Sequence, residues 1–225
     1  MKLTIFAATG GIGRHILVQA VAVGHDVTAV ARNPTSLAGQ AGQVRIVTAD
    51  LAAPDPAAIT SAVAGSDAVL SGLGPRNPRT EAGITSRGTR SIVAAMEATG
   101  VRRIVVVSAA PIGTVPSPGN PRPPKHDPGD GFFMRHLGVP FTRAMLRAHY
   151  ADLALMEDIL RDSGLDWTIS RPPGLTDKPL TGVYRTAFGQ NLRGGVFISR
   201  ANVAHHMLRM LNEPETIKQV VGIAN

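Results

Sequence analysis

The sequence predicts an α/β fold in which a doubly wound parallel sheet carries helices on both faces. Three observations predict it. Apolar, partly β-branched runs alternate with helix-periodic segments through residue 108, the pattern of parallel strands joined by right-handed crossovers. The first run ends in a cluster of glycines, FAATGGIG over residues 6–13, which sets a bare backbone turn between a strand and a helix. The next three runs end at Arg32, at Asp50 and at the Gly72-Leu73-Gly74 stretch, where a sheet of this kind gathers its ligand-facing residues.

Leu3-Thr4-Ile5-Phe6-Ala7 reads as the first buried strand, because it is apolar, partly β-branched and stopped by glycine. Beyond the glycines, Ile12, Ile16, Leu17, Ala20 and Val21 recur at three- and four-residue spacing, so a helix with one buried face runs to about Val23. Its first amides point outward along the positive end of the helix dipole, a natural phosphate site, and Thr9, Gly10, Gly11, Ile12 and Gly13 surround them. A Cβ at these glycines would hold a phosphate away or clash where helix meets sheet.

A second strand, Asp26 to Ala31, delivers Arg32 to its end. An acid at that place suits the 2′-hydroxyl of NAD, whereas an arginine suits the 2′-phosphate of NADP; a solvated surface arginine is the plainer alternative. Arg14 adds positive charge just past the glycines. The third strand lies within Val44 to Leu51, and Asp50 at its end either accepts the amino hydrogens of adenine or caps the helix expected around Pro56 to Val63. The fourth, Asp67 to Gly74, runs into glycines that let the chain pass close to a ribose. A helix from Ile84 to Ala98 with Ile92, Val93 and Met96 on one face precedes a fifth strand, Arg103 to Ser108.

From Pro111 to Pro140, proline and glycine crowd the chain and no period persists, so residues 111–140 are expected to form a long loop or lid. Phe132, Phe133 and Met134 inside it either cover a flat aromatic substrate or anchor the loop. A helix from about Thr142 to Asp162 leads to a sixth strand, Asp166 to Arg171, stopped by Pro172-Pro173. Gly195 to Ile198 reads as a short strand, and Ser199 as the cap of a last helix with Val203, Met207, Met210 and Leu211 on its buried stripe. The expected organisation is one domain over residues 1–225, in which 172–225 form a C-terminal elaboration on the substrate side.

Composition narrows the function classes. With no cysteine among 225 residues, disulfides, thiolate metal sites, iron–sulfur clusters and cysteine nucleophiles are excluded together. The net charge of +7 invites nucleic acid as a partner, but the basic residues are scattered, aromatics make up only 4% of the chain, and no nucleic-acid motif is present. Specific nucleic-acid binding is therefore not expected. No apolar stretch approaches the roughly 20 residues of a membrane span, and the apolar opening is too short for a signal peptide, so a cytoplasmic protein is expected. His205 and His206 are adjacent on a helix and diverge, so no metal site is expected there; one should be buried and the other exposed. Asp152, Glu157 and Asp158 share a helix with Arg147 and Arg161, and pairs at i, i+4 account for them.

The segments AATGGIG, AVARNP, TADL, GLGPRN, RSIVAAMEATGV, SGLDWTISRPPGLTDKPLTGVY and FISRANVAHHMLRML span nearly the whole chain. They resemble the short-chain dehydrogenase/reductase superfamily in its atypical NAD(P)H-binding branch, which contains NmrA-like proteins and the flavin reductase/biliverdin reductase B group. The proline pair and LTDKPLTG are most similar to that last group. The resemblance implies a Rossmann-type fold that binds NADPH and delivers hydride to a flavin, tetrapyrrole, quinone or other small conjugated acceptor. By motif it sets Thr9, Gly10, Gly11 and Ile12 on the pyrophosphate, Arg32 on the 2′-phosphate, and Asp50 with Leu51 on the adenine. Leu73, Gly74 and Arg76 would follow the ribose and pyrophosphate, and Ser108, Ala109, Pro173, Gly174 and Leu175 would frame the nicotinamide. A non-catalytic NmrA-like NAD(P) sensor is the alternative, and the oligomeric state is left open.

The chain also departs from the pattern it resembles. The first family glycine is Ala7. The superfamily's typical dehydrogenases use a Tyr-x-x-x-Lys pair, in which lysine lowers the tyrosine pKa for proton transfer; here Tyr150 is followed four residues later by Ala154, so a packing or surface tyrosine is expected. Biliverdin-reducing members resemble a Thr-Ser pair after strand five and Pro-Pro-His after strand six, where this chain has Ser108-Ala109 and Pro172-Pro173-Gly174. Ser108 remains the one catalytic candidate, as a donor to the acceptor or as a ligand of the carboxamide, unless it merely ends a strand. Hydride transfer to an easily reduced acceptor demands mainly proximity and orientation from the protein, so an enzyme without an evident acid is consistent with these residues.

Overall fold

A computed structural model describes residues 1–40, 42–75, 77, 81–131 and 145–225. Arg76 and the Phe132-Phe133-Met134 cluster lie outside the described residues. The predicted strands and helices through residue 108 are all present, with ends shifted by a few residues: β1 (Lys2–Phe6), α1 (Gly11–Ala22), β2 (Asp26–Ala31), β3 (Arg45–Thr48), α2 (Pro56–Val63), β4 (Ala68–Ser71), α3 (Ile84–Thr99) and β5 (Arg103–Val107). A turn of 3₁₀ helix, Pro34–Gln40, connects β2 to β3. Beyond Ala110–Thr114, another 3₁₀ turn, come α4 (Arg147–Asp162) and β6 (Asp166–Arg171).

The C-terminal part holds more strand than its sequence suggested: β7 (Gly174–Thr176), β8 (Arg185–Phe188), β9 (Phe197–Ser199) and β10 (Gln219–Ala224), with α5 (Arg200–Arg209) between the last two. The strand expected at Gly195 to Ile198 begins instead at Phe197 and includes Ser199. Ser199 still caps α5, because its hydroxyl accepts from the amide of Asn202 at 3.1 Å.

The sheet runs β3-β2-β1-β4-β5-β6-β10-β8. All neighbours are parallel except β8, which pairs antiparallel with β10 at one edge. This is a Rossmann-type α/β arrangement, in which strand order reverses beside β1 and the loops after β1 and β4 diverge to open a crevice at the carboxyl ends. A separate parallel pair joins β7 to β9.

Alternation along each strand feeds two cores. Leu3, Ile5, Val27 and Leu70 pack with Ile16, Leu17, Val203 and Met207 of α1 and α5. Phe6, Val69, Ile104 and Ile169 face the opposite way, against Ile59, Ile92, Met96 and Leu160 of α2, α3 and α4. Each fully buried aliphatic side chain contributes about 1.5–3 kcal/mol by leaving water, so the two layers fix the helices that frame the crevice. Arg103 ties the far end, donating to the carbonyl of Met210 at 2.6 Å and to Thr168 at 2.8 Å.

The turn after β1 is tight. Ala7 sits at φ 55°, in the left-handed region that an L-residue adopts only against its own Cβ. The turn is held by Gly10, whose amide donates to the Ala7 carbonyl at 2.8 Å, and by Ala8, whose amide donates to Val30 at 3.2 Å. Glycine at position 7 takes this conformation without that penalty. Ala7→Gly should therefore raise stability by about 0.5–1 kcal/mol, read as a higher midpoint in urea denaturation; a lower midpoint would show that the methyl's packing outweighs the strain.

Candidate functional site

Helix α1 begins at Gly11 with Gly10 as its N-cap, so no side chain caps its first amides, and no acid occupies its first turn. Those amides keep their positive end for a ligand. The helix can approach β1 only because residue 13 is glycine: a Cβ there would run into the carbonyl oxygen of Ala7. Gly13 is thus a packing glycine, buried beneath the turn rather than lining it.

Above this turn lies a cleft of about 370 Å³, within the range of small-molecule sites. Thr9, Gly10, Gly11 and Ile12 line its floor; Arg32, Asp50 and Leu51 line the side beneath β2 and β3; Leu73 and Gly74 line the edge after β4. Ser108 and Leu175 line it at the other end. The structure therefore brings together eleven residues singled out from sequence: ten follow β1 to β5, and Leu175 lies on β7. Ala109, Pro173 and Gly174 do not line this cleft; Pro173 borders a smaller neighbouring one instead.

Asp50 shapes the loop in which it sits. Its carboxylate accepts from the amide of Ala52 at 2.9 Å, while Asp55 caps α2 by accepting from Ala57 at 2.9 Å. The helix-cap alternative for Asp50 is thereby corrected. Arg32 is paired with Glu81, Nη1 to Oε1 at 2.9 Å, with Glu81 also in the cleft wall. Arg14 is exposed outside the cleft lining.

Three titratable lining residues escaped the sequence reading. Arg200, the first residue of α5, crosses over Gly11, where an added Cβ would lie 2.9 Å from its Nε; Asp177 accepts from its Nη1 at 2.7 Å. Glu81 and His149 carry no motif. On α4 the residues facing the cleft are His149 and Leu153, whereas Tyr150 is buried in the core beside Met156 and Leu160. The packing role expected for Tyr150 agrees with that burial. Burial lowers the His149 pKa from 6.5, against an opposing pull from Asp152.

Ser108 is more constrained than a free hydroxyl. Its Oγ donates to Glu157 Oε1 at 2.7 Å. Glu157 is fully buried and also accepts from Arg171 Nε at 2.9 Å, Arg171 Nη2 at 2.5 Å and Arg161 Nη2 at 2.5 Å. Burial pushes the Glu157 carboxyl up, but the arginines and hydrogen bonds together hold it below its ordinary 4.5. An ionised carboxylate only accepts, so Ser108 spends its proton on Glu157 and offers the cleft lone pairs alone. That speaks against the donor role entertained for Ser108 and leaves the carboxamide-ligand and strand-end readings.

Ion pairs at i, i+4 do not suffice for the acids of α4. Arg161 does reach Glu157 and Asp158. Asp152, however, accepts from the amides of Thr85 and Ser86 at 2.9 and 3.0 Å and so anchors the start of α3, and Asp158 accepts from Gly119 at 2.9 Å. His206 is buried, its pKa lowered to about 4 by desolvation, then Arg209 and His205; His205 is half-buried, with Nδ1 2.8 Å from the Tyr184 hydroxyl. Among the described residues there is no cluster fit to hold a metal ion, and no helix is long and apolar enough to cross a membrane.

The uncapped helix start, the glycine floor and the arginine at the end of β2 fit a dinucleotide. The chain's relatives agree. The model of the NAD(P)H-binding family matches residues 7–214. UPF0659 protein C216.03 of Schizosaccharomyces pombe is 27% identical over 99% of this chain and 90% of its own length. A short-chain dehydrogenase/reductase of Veillonella parvula, solved in complex with NADP, superposes with a TM-score of 0.78 at 18% identity, covering 100% of this chain and 94% of that one. ChuY of Escherichia coli O157:H7, described as an anaerobillin reductase, superposes with a TM-score of 0.76 at 24% identity over 100% and 97%. At these identities the two structures speak for the fold.

Replacing Glu157 by Gln should cost about 3–5 kcal/mol, because Arg171 is left buried without its counter-charge. The thermal midpoint should fall by roughly 6–20 °C for a chain of this size. The wild-type contribution has a definite sign: with the folded pKa below 4.5, it is present above that pH and lost as pH falls through the lower folded value. A variant that melts within about 2 °C of wild type at neutral pH would contradict this assignment.

Proposed function

The chain belongs to the NAD(P)H-binding family, and from that premise we propose that it is an NADPH-dependent reductase acting on a small conjugated acceptor such as a flavin or quinone. The observation that carries the reading is the cleft itself: a dinucleotide floor continues, past Gly74, into an apolar recess bounded by Val107, Leu153 and Leu175. A nicotinamide seated against these apolar side chains is kept from water, which suits hydride transfer to a conjugated acceptor. That ChuY is described as a reductase, and that the Veillonella protein binds NADP, supports the same reading.

In this reading the amides of Gly11 and Ile12, with the start of α1, hold the pyrophosphate. Arg32 receives the 2′-phosphate, and because Glu81 already holds its guanidinium, that phosphate must displace or share a carboxylate contact. The Arg32 side chain is 38% exposed and that of Glu81 13%, so the exchange trades one partly buried anionic contact for another. Asp50 and Leu51 border the adenine. Ser108 accepts from the carboxamide, its direction set by Glu157. The reduced nicotinamide would supply a hydride there; the protein's part is orientation and exclusion of water.

The test is loss of reduced-nicotinamide absorbance with flavins, quinones and dyes as acceptors. Turnover is expected with at least one, and tight NADPH binding without turnover on any would overturn the reductase reading in favour of a sensor. Arg32→Asp should invert the preference for NADPH over NADH in calorimetric dissociation constants. An unchanged ratio would remove the basis for naming NADP.

A further inference from the structure

The recess is poor in polar groups. Where β5 meets α4, its described walls are Val107, Leu153, Leu175 and Ile84, and only Ser108 and His149 bring polar side-chain atoms there. The charged residues of the cleft, Arg32, Asp50, Glu81 and Arg200, belong to the loops after β2 and β3, the start of α3 and the start of α5. Among the described residues, an acceptor lying on the nicotinamide in this recess meets two polar side chains. Ser108 cannot donate to it, because its proton is held by an ionised Glu157. One donor is left.

The geometry of His149 suits that task. Its Nδ1 is closed off from solvent and has no hydrogen-bond partner among the described residues, while the ring as a whole is half-buried and lines the cleft. Stranding a lone pair costs less than stranding an N–H, so the ring proton belongs on Nε2. The ring is neutral at pH 7, since burial lowers its pKa and Asp152, the acid that opposes the shift, is itself held by the amides of Thr85 and Ser86. A neutral imidazole donates a hydrogen bond without bringing a charge into an apolar recess, which favours a neutral carbonyl over a carboxylate.

We propose that His149 is a catalytic residue, one whose Nε2–H donates to a carbonyl oxygen of a neutral conjugated acceptor of the quinone type and stabilises the negative charge that develops on that oxygen. This rests on the reductase reading above. The chemistry balances: a quinone takes up a hydride from the dihydronicotinamide, which leaves as the oxidised nicotinamide, and a proton from water, and becomes the hydroquinone. His149 ends the cycle unchanged. Its bond strengthens as the carbonyl electrons move onto oxygen, so it acts on the reaction more than on binding.

The experiment compares wild type, His149→Phe and His149→Gln in the full chain, with NADPH and a neutral naphthoquinone. His149→Phe should lower kcat/KM by about 100-fold, mostly in kcat, with the NADPH dissociation constant within about twofold of wild type. His149→Gln keeps an N–H donor and should recover activity to within about tenfold. The inference is overturned if the Phe variant stays within about threefold of wild type, if Gln is no better than Phe, or if either loses NADPH binding. Should wild type turn over no acceptor at all, the reductase reading fails separately. The contact is then read by nitrogen NMR of the imidazole with NADP⁺ and naphthoquinone added: a shift confined to His149 Nε2 upholds it, and its absence in wild type sinks it.

Discussion

The site depends on one close approach, that of α1 to the end of β1 at Gly13. A side chain there would meet the Ala7 carbonyl, and a Cβ at Gly72, at the end of β4, would come within 3.0 Å of the Gly13 amide nitrogen. The helix start is thus wedged between two parallel strands, with no room for a methyl on either side. Its dipole is aimed across the crevice where strand order reverses, and its first amides open onto the cleft. The strained φ at Ala7 follows from the same squeeze: the chain must turn within a few residues to let the helix in. Because α5 packs on α1, the same placement brings Arg200 over Gly11 and sets a cation beside the phosphate floor.

A second constraint ties the recess to the far half of the sheet. Glu157 on α4 gathers Ser108 after β5, Arg171 at the end of β6 and Arg161 one turn along its own helix. A fully buried ion pair of this kind brings little net stability over an apolar replacement, since desolvation consumes most of its attraction. Its effect is on direction. With two arginines satisfying its remaining lone pairs, Glu157 has one position in which to receive Ser108, and Ser108 one rotamer in which to donate. The hydroxyl facing the cleft is fixed as an acceptor by groups that never touch the cleft.

What could be read from sequence follows from how local each signal is. The glycine turn, the cap at Ser199, α2 from Pro56 to Val63 and β6 from Asp166 to Arg171 were legible because each depends on residues within a few positions of one another. The C-terminal strands were not, since β8 is largely exposed and carries no clear alternation, and β10 becomes a strand through pairing with β6 and β8. Arg200 and Glu81 needed the tertiary fold: they lie far along the chain from the residues they meet, and their own neighbourhoods explain them as a helix start and a loop acid. On α4 the difficulty was one of phase. A shift of one residue turns a helix by 100°, from 3.6 residues per turn, and that step separates Tyr150, which packs in the core as expected, from His149, which lines the cleft and which no local signal marked. The acids on the same helix were misread for a related reason, since their partners at Thr85, Gly119 and Arg171 lie on other elements.

Charge in the cleft supports a role for the backbone in holding phosphate. The chain carries a net +7, yet among the described cleft residues two arginines, 32 and 200, face two acids, Asp50 and Glu81, and a third acid, Asp177, holds Arg200 from outside. Among the described lining residues the charges balance, two against two. In the proposed reading a dianionic pyrophosphate would be bound through oriented amides and the helix dipole, with each arginine exchanging one anionic partner for another. Attraction of that sort acts at contact distance and fades little with salt, unlike a diffuse basic patch whose field is screened within about 10 Å at 0.1 M salt. The glycine floor therefore matters more than the net charge, because a bare backbone lets the amides reach the phosphate at hydrogen-bonding range.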